Sequence, residues 1–159
     1  KQLLEDRGFE VEMLRTNYPT YDLIARKNGK AINVSVKTCR NQNRHLRIGK
    51  TNALESLGNK DVMICLLPEE RGVEIDLGGM KYELWIVPGG VARKEGIAVH
   101  EHYHRETSPG DPARDHPVMV KDKIDRPNGR SIAGATFHRW SEEYKDNWIH
   151  LENIVGGVV

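Results

Sequence analysis

The order of elements along this chain predicts a mixed α/β fold, with a central β-sheet flanked by helices. Three observations carry that prediction. They are a strand-turn-strand signature around Asn28-Gly29, a continuous apolar run from Asp61 to Leu67, and helical patterns that alternate with the strand signals. The 159 residues are read as a single domain, long enough to bury a sizeable core. A composition of 38% hydrophobic and 30% charged residues suits a globular chain in water, neither disordered nor membrane-embedded. No apolar run approaches the length of a membrane span. A net charge of +1 supplies no global attraction to nucleic acid, so any such affinity must come from local clustering. Cys39 and Cys65, the two cysteines present, make no disulfide framework and suit a reducing cytoplasm. The chain opens at Lys1 without Met and carries nothing like a signal peptide, so an upstream part of the first helix is expected to precede it.

Taken in order, Lys1 to Arg7 reads as the end of a helix, with Gly8 as its stop. Phe9, Val11 and Met13 then alternate with Glu10 and Glu12 as a strand. A hairpin spans about 21 to 38, because both Asn and Gly tolerate the positive φ that a type I′ turn requires. Thr51 to Leu57, closed by Gly58, fits one short helix, and Asp61 to Leu67 has the length of a buried strand. Val73 to Leu77 alternates, Tyr82 to Val87 is again strand-like, and Pro88-Gly89-Gly90 reads as its stop. The prolines between about 105 and 130 predict an irregular excursion, with a short strand at Val118-Met119-Val120. Trp140, Tyr144, Trp148 and Leu151 fall at helical spacing, predicting a helix over about 137 to 151 that covers a sheet face, and Val155 to Val159 reads as a frayed tail.

The hairpin holds the candidate site. With Asn28 and Gly29 as the loop, facing positions add to 57 and Asp22 lies across from Ser35. Alternation puts Lys37 on the same face, while Leu23, Ala25, Val34 and Val36 take the other. One face therefore packs on a core and the other gathers a carboxylate, a hydroxyl and an ammonium. A solvated face with a weak ion pair is the plain reading of such a group. Against it stand the apolar character of the two strands and the cationic run that leaves them after Lys37, a setting suited to an anionic substrate.

Pro19-Thr20-Tyr21-Asp22 and Ser35-Val36-Lys37 resemble the two motifs of the PD-(D/E)xK nuclease superfamily, the first loosened by two inserted residues. The resemblance covers roughly the first 90 residues, about one compact core, and implies a restriction-endonuclease-like core. It also implies a DNA nuclease using Mg²⁺ or Mn²⁺. Asp22, Ser35 and the Val36 main-chain carbonyl would be its metal ligands and Lys37 would orient water or neutralise charge. Ser35 departs from the family, which has an acid or amide there. A hydroxyl is a weaker ligand for a hard cation, so another carboxylate (Glu5, Glu10, Glu12 or Glu55) completes the site, metal binding is weak, or the chemistry has been lost and a DNA- or protein-binding module remains.

Two further stretches bear on function. Arg40, Gln42, Arg44, His45, Arg47 and Lys50 form the densest basic, amide-rich run in the chain. Taken alone it is an ordinary solvated loop; beside the hairpin it predicts contacts to phosphate, sugar and base edges. His100-Glu101-His102-Tyr103-His104 contains H-E-x-x-H, a zinc-hydrolase pattern that needs a helix to bring two His one turn apart. Gly96 upstream and Pro109-Gly110 downstream predict that any helix here is short, and an exposed His-rich segment is the plain alternative. No phosphate-cradling Gly loop, G-x-S-x-G or C-x-x-C pattern is present, which argues against P-loop enzymes, α/β-hydrolases and zinc ribbons. The expectation is a cytoplasmic, Mg²⁺-dependent deoxyribonuclease with DNA as partner, no membrane association, and a homodimer left open.

Overall fold

The structure is a computed structural model that describes residues 1–15, 18, 20–38, 45–47, 51–68, 82–107, 118–120 and 142–156, with side chains at all of these except 45–47, 51, 68, 99–107 and 118–120. Its elements are α1 (Gln2–Glu5), β1 (Glu10–Met13), β2 (Leu23–Lys27), β3 (Lys30–Thr38), β4 (His45–Arg47), α2 (Thr51–Glu55), β5 (Val62–Pro68), β6 (Tyr82–Pro88), α3 (Gly89–Thr107), β7 (Val118–Val120), a 3-10 turn at Glu142–Tyr144, and α4 (Trp148–Gly156). The strands of the main sheet lie in the order β1-β2-β3-β5-β6, and β4 pairs with β7 apart from it.

Local chemistry explains the first half. Gly8 at φ +77 ends α1 in the left-handed conformation that glycine adopts without penalty. Asn28 and Gly29 have φ of 54 and 72, as the hairpin turn demands, and the β2–β3 register runs Leu23↔Val34 to Lys27↔Lys30, so facing positions do add to 57. Strands β1, β2 and β3 form an antiparallel meander, β3 then pairs in parallel with β5, and β5 returns antiparallel to β6. A parallel neighbour cannot be reached by a tight turn, and α2 lies in the crossover that β3 and β5 require.

Both sheet faces are covered. On one, Leu23, Ala25, Ile32, Val34, Val62, Ile64, Leu66, Leu84 and Ile86 pack with Leu4 of α1 and with Leu151 and Val155 of α4. On the other, Met63, Cys65, Leu67, Trp85 and Val87 pack with Leu54 of α2, Leu57 and Ala92 of α3. Strand β5 divides its alternate residues between the two clusters, which is why it reads as an unbroken apolar run. Among the described residues, no helix is long and apolar enough to cross a membrane.

Several boundaries differ from expectation for identifiable reasons. Met13 is 58% exposed, so the inward alternation of β1 ends at Val11. Residues 45 to 47 form a strand and not a loop. Val73 to Leu77 and Trp140 lie outside the described residues. The expected helix over 137 to 151 is displaced. Asp146 has φ 49, incompatible with a right-handed helix, and its N–H donates to the Leu84 carbonyl at 3.0 Å. Lys145 also bridges Trp85, so this segment lies along the β6 edge and α4 starts only at Trp148. The aromatic stripe accordingly splits: Tyr144 packs on the Trp85 cluster, and Trp148 and Leu151 on the other. Val155 is buried within α4 and not part of a tail.

Helix α3 is the largest departure, 19 residues where a short one was expected. Gly89 and Gly90 open this helix instead of forming a loop. Their need for glycine is steric: a Cβ at Gly89 would collide with the Gly58 carbonyl oxygen and stand 2.9 Å from the Asp61 carbonyl oxygen. The Gly89 N–H donates to that Asp61 carbonyl at 2.7 Å, which holds the start of α3 on the turn before β5. Gly89→Ala should cost about 2 kcal/mol, within the range for overpacking a rigid contact, measured by urea unfolding. Stability equal to wild type would mean that the turn yields freely.

One buried group makes a pH prediction. His150 Nε2, in α4, is buried with no hydrogen-bond partner among the described residues, and burial pushes its pKa below the ordinary 6.5. Above that value both folded and unfolded chains hold the imidazole neutral. As pH falls through it, the unfolded chain binds the proton first and stability is lost. His150→Leu should therefore reduce the loss of thermal stability between about pH 7.5 and about pH 5. An unchanged pH slope in the variant would assign the acid sensitivity to other groups.

Candidate functional site

Asp22 stands at the entrance to β2 with its main chain tied on both sides. Its N–H donates to the Val34 carbonyl at 2.9 Å, and its carbonyl accepts from Leu14 N–H at 3.0 Å. The side chain is thereby aimed across the hairpin at β3. Asp22 Oδ2 accepts from the Val36 N–H at 2.6 Å and from Ser35 Oγ at 3.4 Å, and lies 4.0 Å from Lys37 Nζ. All three contacts use one oxygen; Oδ1 has no partner among the described residues. Asp22 is 48% exposed and Lys37 23%, whereas Ser35 is buried at 1%. The group expected from the hairpin register is thus assembled, with two members at the surface and the serine beneath them.

Its face is that of α2 and α3. Ser35 and Lys37 stand beside Met63 and Cys65 in the parallel register, and both of those belong to the Trp85 cluster. Cys65 is a neighbour of Lys37, but complete burial raises its thiol to about 12, outweighing the lysine's opposite pull, so it remains a neutral packing group. In an extended strand the N–H and C=O of one residue point to the same side. The Val36 carbonyl therefore shares the Asp22 side of β3 with its N–H.

Sequence reasoning missed Asp61, which is 7% exposed. Asp61 Oδ2 accepts from the Tyr21 hydroxyl at 2.7 Å and from the Gly58 N–H, and Oδ1 accepts from Asn33 Nδ2 at 3.0 Å. The Tyr21 hydroxyl also reaches the Ser56 carbonyl at 3.1 Å, and Thr20 Oγ1 lies 2.8 Å from Ser56 Oγ. Burial and the Asp61 carboxylate together push the Tyr21 phenol up to about 12, so it stays a donor. A charged residue opening an apolar run was the signal available for Asp61, since such a position is buried only with partners.

The donor set for a divalent cation is sparse. Among the described residues, no three His, Cys, Asp or Glu side chains group together. Of the four carboxylates considered as a second acid, Glu5 pairs with Lys1 at 3.3 Å and Glu12 with Arg26 at 2.8 Å. Glu10 lines a cleft at the turn end of the hairpin with Lys27 and Lys30, and Glu55 is exposed on α2. What remains among the described residues is Asp22 Oδ1 and the Val36 carbonyl. These suit Mg²⁺, which keeps several waters and commonly takes one or two carboxylates plus substrate phosphate. They would not make a closed site.

Arg40, Gln42, Arg44 and Lys50 lie outside the described residues; His45 and Arg47 are in β4, with backbone alone described. Strand β4 adjoins the end of β3, and β7, its partner, adjoins α3. His100 and His104 fall within α3, so the one-turn spacing of H-E-x-x-H is present in the backbone, while their side chains lie outside the described ones. No protein-family model matches this chain, and no curated protein matches it significantly.

Proposed function

We propose that this protein is a metal-dependent nuclease of restriction-endonuclease-like fold, hydrolysing DNA phosphodiester bonds at the Asp22–Ser35–Lys37 group. The observation that carries the reading is the meeting of Asp22 and Lys37 at 4.0 Å on the exposed end of a hairpin. The element order supports it: a helix, three antiparallel strands, the short strand β4, a helix, and a strand parallel to the third. Apart from β4, that is the order the resemblance implies. An ion at Asp22 Oδ1 and the Val36 carbonyl would supply charge stabilisation on the scissile phosphate. Lys37, fixed by Asp22 and by burial of its stem, holds a proton-donating ammonium at the same place. It offsets negative charge on the phosphate oxygens and orients a water for attack. Ser35 holds Asp22 in place from below and contributes no charge, which predicts weak metal affinity in the absence of DNA.

The test is cleavage of plasmid and single-stranded DNA with Mg²⁺ or Mn²⁺. Metal-dependent cutting that Asp22→Ala removes and His104→Ala leaves intact supports the reading. Cutting lost with His104→Ala and retained with Asp22→Ala would move the chemistry to a zinc site on α3. An inactive wild type that still binds DNA would make the fold a binding module, for which the neutral Ser35 is the reason; Ser35→Glu would then be the variant to restore cleavage.

A further inference from the structure

The carboxylate of Asp61 is buried on the same sheet face as the candidate site, and its donors are not a random set. Gly58 N–H alone would complete a loop staple. The other two donors come from the two segments that carry the site: Tyr21 directly precedes Asp22, and Asn33 precedes Ser35 by two on the same face of β3. One rigid acceptor thus holds the approach to the acid and the strand of the lysine at a fixed separation. We infer that Asp61 and Tyr21 are positioning residues that set the Asp22 carboxylate against Val36 and Lys37. This rests on the nuclease reading above.

The geometry shows how the effect is transmitted. Tyr21 is held at its tip, by Asp61 and the Ser56 carbonyl, and Thr20 is held beside it by Ser56. These contacts restrain the chain entering β2, and with it the backbone from which the Asp22 side chain projects. Loss of the Tyr21 hydroxyl leaves Asp61 with Gly58 and Asn33, so the buried acceptor stays satisfied and the fold survives. What changes is the aim of Asp22.

Tyr21→Phe is the test, read in two ways. Steady-state cleavage should show kcat reduced about 10–100-fold with KM little changed, as for a misplacement of catalytic groups by a fraction of an ångström to one ångström. Amide hydrogen exchange should show the Val36 N–H, which Asp22 Oδ2 accepts, exchanging at least about 10-fold faster, while Ile32 and Val34 keep their protection. A merely structural role would speed all three amides together. Unchanged Val36 exchange relative to its neighbours overturns the inference, whatever happens to kcat; so does selective Val36 exchange with unaltered kcat in an active enzyme. If the wild type neither cuts DNA nor binds Mn²⁺, the nuclease reading falls, and the exchange measurement still decides whether Tyr21 positions Asp22.

Discussion

Lys37→Ala is expected to lower DNA cleavage by about 10²–10⁴-fold, the range for removing one group aimed at developing charge. The loss should fall on kcat. Phosphate attraction is shared among many cations, whereas on the proposed mechanism this ammonium, 4.0 Å from Asp22, acts on charge that develops in the transition state. Thermal stability should barely change, because the Asp22 contact is half in solvent and exposed pairs contribute little. Asp22→Ala should match it in activity and also weaken the response to Mn²⁺ concentration. Lys37→Arg provides the control for charge: a guanidinium is bulkier, planar and bidentate and cannot reproduce the compact ammonium, so rescue should be partial. Wild-type kcat in Lys37→Ala would remove this residue from the mechanism.

The second large effect is on stability. Asp61→Ala should cost about 3 kcal/mol, because the Asn33 amide, the Gly58 N–H and the Tyr21 hydroxyl, all in part-buried hydrogen bonds, lose their common acceptor together. For a chain of this size that corresponds to a fall in Tm of roughly 10 °C. Asn33→Ala, which removes a donor and leaves the carboxylate its other partners, should cost only about 1 kcal/mol. Urea unfolding of both variants checks the pair. Equal losses would show that Asp61 is not the common acceptor.

These residues show how legibility depended on distance along the chain. The hairpin could be read because its information is local: Asn28-Gly29 sets the register, and alternation then places Asp22, Ser35 and Lys37 on one face. The long-range partners of Asp61 could not, since Asn33 and Tyr21 stand 28 and 40 positions away and nothing beside Asp61 names them. Helix α3 was obscured by Gly89-Gly90, which are glycines for close approach and not for a turn. The C-terminal helix was misplaced because its aromatic residues serve two opposite sheet faces, separated by the left-handed Asp146. Only the backbone trace divides them.

The staple also has a bearing on the order in which the chain assembles. Contacts among Asp22, Ser35 and Lys37 close short loops within one hairpin, which forms on a time scale of microseconds. The parallel β3–β5 pair and the Asp61 contacts close longer loops and come later, since their entropy must be met before they contribute. The acid and the lysine therefore meet first in a loose hairpin, and are locked only when the remote segment docks. A nascent chain would acquire the hairpin early and the locked geometry of Asp22 and Lys37 last, so that, on the proposed function, cleavage would report completion of the sheet and not merely formation of the hairpin.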